Sequence, residues 1–101
     1  MMRVELDCTG WADKAAAWEG LISALDPMEG HGRNPDALWD GLLGGLLTTE
    51  RPLVVVIRGQ AQPKVFAALL QMQDVFTDAR ETEGEDVRLD LGGITQAPAR
   101  R

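Results

Sequence analysis

The run Leu53-Val54-Val55-Val56-Ile57 constrains the fold more than any other part of the chain. Five consecutive apolar residues rich in β-branched side chains, preceded by Pro52 and followed by Arg58-Gly59, read as a strand covered on both faces. Such a strand belongs in the middle of a sheet. Near the two ends of the chain, Arg3-Val4-Glu5-Leu6-Asp7 and Val87-Arg88-Leu89-Asp90-Leu91 alternate polar and apolar, the period of strands with one buried face. Helix-length segments separate the three, so the strands need crossover connections and the predicted sheet is parallel.

Those intervening segments carry helical spacing. Trp11, Ala15, Trp18, Ile22 and Leu25 follow steps of four and three, the stripe of an amphipathic helix that Asp26-Pro27 stops. Residues 27–33 read as an irregular connection. A second helix opens at Asn34-Pro35-Asp36, where asparagine can cap, proline suits the first helical position and aspartate sits in the positive first turn. Leu38, Leu42 and Leu46, with Leu47 nearby, give its apolar side, and Gly44-Gly45 weakens or ends it. The third helix begins near Pro63, spaces Val65, Leu69, Met72, Phe76 and Ala79 along one face, and closes at Gly84. The expected fold is α/β with the order β-α-α-β-α-β, as a single domain over residues 1–91. Residues 92–101 are expected to be a flexible tail.

Charge and residue inventory narrow the function. The formal net charge of the 101 residues is −6, and two of the ten basic residues, Arg100 and Arg101, fall in the tail. The acidic body disfavours phosphate-backbone and anionic-membrane binding and favours a basic partner. No basic stripe tracks a nucleic acid, and no apolar run approaches a membrane span or a signal peptide. One cysteine, Cys8, excludes an internal disulfide, and the default location is cytoplasmic. With one histidine, one cysteine and no tyrosine, catalysis has little to work with. A Cys8/His31 dyad lacks any flanking signature. Lone His31 and the run Glu81-Thr82-Glu83-Gly84-Glu85-Asp86 lack metal-ligand spacing, so no metal or cofactor is expected. Gly30-His31-Gly32 follows no strand and precedes no lysine, which excludes a phosphate loop.

The acidic pairs are the informative chemistry. Asp36 and Asp40 lie four apart on the second helix, so both carboxylates project from one face, where such a pair costs an isolated helix roughly 0.2–0.5 kcal/mol. Asp36 has a structural reason as a first-turn anion, but Asp40 lies a turn further in and gains little from the helix dipole. Local rules of this kind tend to be broken at functional sites. Asp74 and Asp78 repeat the spacing on the third helix. The plain alternative is a pair of solvated faces on an acidic protein. Trp39 stands one position off the Leu38/Leu42/Leu46 stripe, at the border of core and surface, where it can anchor an interface. Trp11 and Trp18 fall on the first helix's buried stripe and read as packing.

Gly32-Arg33-Asn34-Pro35-Asp36-Ala37-Leu38-Trp39-Asp40, followed by a Pro-led apolar strand, resembles the barstar family. That family's usual motif is an aromatic pair, then Gly, a polar residue, Asn, any residue, and Asp-Ala-Leu-Trp-Asp. The order β-α-α-β-α-β to Leu91 is similar to the family's small three-stranded parallel sheet packed with helices. The resemblance implies an intracellular inhibitor, not an enzyme, whose partner is a basic extracellular-type ribonuclease of the barnase kind. It implies that the second helix and the loop before it plug the enzyme's basic cleft. Asp40 would take the place of a substrate phosphate, Asp36 would meet another cation, and Gly32, Asn34 and Trp39 would pack and position. Asp78 matches a third-helix glutamate contact of the family, with a shorter side chain. Gly30 and His31 stand where the family has its aromatic pair. The alternative reading keeps the fold but gives it a different basic toxin or nucleic-acid-binding protein as partner. The free protein is taken as a monomer by default.

Overall fold

The computed structural model describes residues 2–25, 34–44 and 51–96. Its elements are β1 (Met2–Asp7), α1 (Lys14–Leu25), α2 (Pro35–Gly44), β2 (Leu53–Ala61), α3 (Pro63–Glu83) and β3 (Val87–Gln96). β2 is the central strand, with β1 and β3 paired in parallel on its two sides. The predicted topology and the α/β class are both present.

One face of the sheet takes the helices. Met2, Val4 and Leu6 stand in register with Leu53, Val55 and Ile57, and Leu53 and Val55 in turn with Val87 and Leu89. These side chains share a core with Leu21, Ile22 and Leu25 of α1, Leu38 and Leu42 of α2, and Val65, Leu69, Met72 and Phe76 of α3. The opposite face carries Arg3, Glu5, Asp7, Arg58, Arg88 and Asp90, all exposed. Glu5 pairs there with both Arg3 and Arg58. The helices therefore cover β2 on one face only; on the other face Val54 is half-buried and Val56 is buried, so the expectation of two buried faces is met at Val56 although no second layer of helices lies there. The strand order β1-β2-β3 explains it: both crossovers step the same way across the sheet, and right-handed crossovers then deliver every helix to the same side.

Three boundaries differ from the sequence reading. α1 starts at Lys14, not near Trp11, because Asp13 caps it: its Oδ1 accepts from the Ala16 N–H at 2.9 Å and its carbonyl from the Ala17 N–H at 3.1 Å. The buried stripe becomes Ala17, Trp18, Leu21, Ile22 and Leu25, with Ala15 exposed. Trp11 precedes the helix and lays its indole where a side chain at Gly20 would stand.

β2 and β3 both run on beyond the expected Ile57 and Leu91. Arg58–Ala61 pairs with Gly93–Gln96 after a register shift in which Leu91 and Gly92 together oppose Ile57. The Gly92 N–H is satisfied by Asp90 Oδ1 at 2.8 Å. This bulge changes the parity of β3, so that Ile94 returns to the core side and packs against the core. Residues 92–96 are thus strand and not tail; residues 97–101 lie outside the described residues.

The C-terminal ends of β1 and β2 are knotted together. Asp7 Oδ1 accepts from the Thr9 N–H at 2.9 Å, while Thr9 Oγ1 accepts from the Gln60 N–H at 3.1 Å. Hydrogen bonds from the Thr9 side chain and backbone hold the Asp7 carboxyl below its ordinary pKa. Gly59 sits beside them at φ 107°, and a Cβ there would run into Asp7 Oδ1 and Thr9 Oγ1.

Candidate functional site

α2 is built from its first residue to present an acidic face. Asn34 Oδ1 accepts from the Ala37 N–H at 2.8 Å, its carbonyl accepts from the Leu38 N–H at 3.1 Å, and Pro35 opens the helix. Leu38 and Leu42 are buried, and Trp39 is half-buried against the core, at the border expected for it. Asp36 and Asp40 are exposed one turn apart. Loss of the Asn34 cap in Asn34→Ala should cost about 1 kcal/mol, and Asn34→Asp should restore most of it. A denaturant titration of the two variants checks this, and an unchanged midpoint in the alanine variant would show the cap to be idle.

The far end of α2 is held by a residue that periodicity did not single out. Arg51 donates through a terminal guanidinium nitrogen to the Leu42 carbonyl at 2.9 Å, and its Nε lies 3.4 Å from Glu85 Oε1. One side chain thereby ties the C-terminal turn of α2 to the turn between α3 and β3. The cation also stands at the negative end of the helix. Only the fold brings positions 42, 51 and 85 together, so no local pattern could have marked Arg51.

α2 packs on α3, which carries Asp74 and Asp78, both exposed. The Asp78 carbonyl accepts from Thr82 Oγ1 at 2.6 Å, leaving its carboxylate outside that bond. Among the described residues, none of Asp36, Asp40 and Asp78 has a cationic partner within the protein. Gly32, Gly30, His31, Leu46 and Leu47 lie outside the described residues.

Other chemistry is sparse. Cys8 is buried and its thiol is pushed above the ordinary pKa by desolvation, the opposite of an activated nucleophile. Among the described residues there is no cluster of histidine, cysteine and carboxylate side chains that could hold a metal ion, and no helix long and apolar enough to cross a membrane.

No curated protein matches the chain in sequence. A family model does: the one described as Barstar (barnase inhibitor) matches residues 1–92. A match over so much of a 101-residue chain, on the same β-α-α-β-α-β order, shows that the protein belongs to the barstar family.

Proposed function

We propose that this protein is an intracellular inhibitor of a barnase-type ribonuclease and that it acts by seating the α2 face in the enzyme's basic cleft. The observation that carries the reading is the pair Asp36 and Asp40, exposed on one face of a capped and buttressed helix with no cationic partner among the described residues. Asp40 takes the position of a substrate phosphate among the cleft's cations. Asp36 meets a second cation, while Trp39, Asn34 and Gly32 fill and orient the contact, with Asp78 approaching from α3. Inhibition then needs no turnover, only occupancy. The protein works in the cytoplasm of the cell that makes the enzyme.

The charge balance adds a kinetic expectation. With a formal charge of −6 against a basic enzyme, encounter should be accelerated by long-range attraction and slowed by salt, since the screening length falls from about 30 Å at 0.01 M to about 3 Å at 1 M. The barnase–barstar pair is itself the standard example of such steering. Stopped-flow mixing with a ribonuclease of this class, ideally one encoded beside the inhibitor, measures inhibition and the association rate together. Lack of inhibition would sink the assignment; an association rate indifferent to salt would remove the steering.

A second reading is favoured by Gly30 and His31, which replace the family's aromatic pair. Here the fold and the acidic face are kept, but the partner is a different basic toxin or nucleic-acid-binding protein. Recovery from the native lysate of a basic partner without ribonuclease activity, bound through Asp40, would decide for it.

A further inference from the structure

β3 has one unpaired side: β2 lies along it, and no described strand lies beyond it. The Asp86 carbonyl accepts from the Leu53 N–H at 2.9 Å, so by alternation Arg88 and Asp90 turn their main-chain groups to β2, and Val87 and Leu89 turn theirs to the free edge. Gln73 marks that edge from outside, its Nε2 donating to the Leu89 carbonyl at 3.3 Å, a long contact. From Val87 to the bulge at Leu91 and Gly92 the edge is regular and carries no proline to blunt it.

The sequence of this stretch is its own complement. Val87-Arg88-Leu89-Asp90-Leu91, run antiparallel to a second copy about a two-fold axis at Leu89, sets Arg88 opposite Asp90 twice, Val87 opposite Leu91 twice and Leu89 opposite Leu89. Neighbouring registers fail. An axis at Arg88 or at Asp90 brings like charges together at the centre, and an axis between two residues sets core-side side chains against solvent-side ones. β1 has a similar alternation, but its charges are already engaged, Glu5 pairing with both Arg3 and Arg58. Arg88 and Asp90 are exposed and have no ion pair among the described residues, although Asp90 Oδ1 accepts from the Gly92 N–H.

We propose that two copies of this chain pair through their β3 edges, antiparallel and centred on Leu89, joining two three-stranded sheets into one of six strands. The two Leu89 residues exchange N–H···O bonds across the axis, and two Arg88–Asp90 pairs flank them on the helix-free face. Gln73 competes for the same Leu89 carbonyl, so it keeps the association weak. A contact made by one strand pair falls below the standard interface size, which puts the dissociation constant at about 10 μM to 1 mM. The pairing uses no residue of α2 and does not rest on the ribonuclease reading.

Sedimentation of the intact protein from about 10 μM to about 1 mM tests this, with a monomer–dimer equilibrium expected. Arg88→Asp sets aspartate against aspartate at two symmetric places and should weaken the dimer at least about tenfold. Asp90→Arg should do the same with arginine against arginine. Mixed, the two variants regain opposite charges at both places and should dimerise where neither does alone. Asp90→Arg gives up the Gly92 contact, so circular dichroism checks its fold; Asp90→Asn keeps that acceptor, removes only the attraction and should weaken the dimer by a smaller factor. Gln73→Ala frees the Leu89 carbonyl and should tighten the dimer at least about fivefold. If the parent and Gln73→Ala are both monomeric at about 1 mM, the proposal is overturned and the edge is left to a strand of another protein. A dimer that Arg88→Asp leaves unchanged, or two folded charge variants that stay monomeric when mixed, would place the contact elsewhere and overturn it equally.

Discussion

Asp40→Ala should weaken binding to the cognate ribonuclease by roughly 100- to 4,000-fold while leaving the fold intact. The magnitude follows from where the carboxylate goes. In the free protein Asp40 is exposed, so its removal breaks no ion pair among the described residues. In the proposed complex it is desolvated among the enzyme's cations. Deleting one partner of a buried charge pair costs about 3–5 kcal/mol, because the groups left behind are buried and unpaired. Most of the loss should appear in the dissociation rate, since association depends on the summed charge of a protein that keeps its other acids. Stability should move slightly the other way. Asp36 and Asp40 repel each other across one turn, and relieving an i,i+4 like-charge pair returns roughly 0.2–0.5 kcal/mol. Dissociation kinetics and thermal unfolding of the same sample check both halves. Loss of affinity together with a lowered melting temperature would make Asp40 a structural residue and refute its role as the principal anion.

The sequence made some elements legible and hid others for identifiable reasons. α2 could be placed because Asn34, Pro35 and Asp36 each carry an independent start signal, and the Asn34 side chain forms the capping bond. α3 was equally legible: Val65, Leu69, Met72, Phe76 and Ala79 are all buried, and Gly84 closes the helix at φ 69°. The start of α1 was obscured because Trp11 happens to satisfy the helical period while packing over Gly20 from outside the helix. Asp13, three residues before an N–H that needs an acceptor, was the better local signal. The extension of β3 had no such signal. Gly92 and Gly93 are poor strand formers that interrupt the run before Ile94 and Thr95, and the segment is strand because Arg58–Ala61 offers a partner. The helix-free face of β2 was legible in its neighbours instead. A run of β-branched residues cannot report which side is open, but Arg3 and Glu5 on one flank and Arg88 and Asp90 on the other mark the same solvent face. At the site, the exposure of Asp36 and Asp40 followed from helical geometry, whereas Arg51 required the tertiary structure.

Phe76→Ala should be the mirror image of Asp40→Ala, costing stability while sparing affinity. Phe76 is 1% exposed and among the largest fully buried side chains, on the helix that packs against α1, α2, β2 and β3. Truncation removes the transfer free energy of the ring and leaves a cavity that elements fixed on several sides can close only in part. Substitutions of this kind cost about 3–5 kcal/mol. For a domain whose whole stability is on the order of 5–15 kcal/mol, that is a large fraction, and at roughly 4–8 °C per kcal/mol the melting temperature should fall by at least about 12 °C. Leu70, on the same helix but 43% exposed, is the control: Leu70→Ala should stay within about 0.5 kcal/mol of the parent. Below its lowered melting temperature the Phe76→Ala protein should still inhibit, because the capped α2 and its two carboxylates do not include position 76. A variant that is folded by circular dichroism yet no longer inhibits would show that the acidic face depends on the packing of α3 beneath it. Paired with Asp40→Ala, the comparison separates the residues that make the helix face exist from the residue that makes it bind.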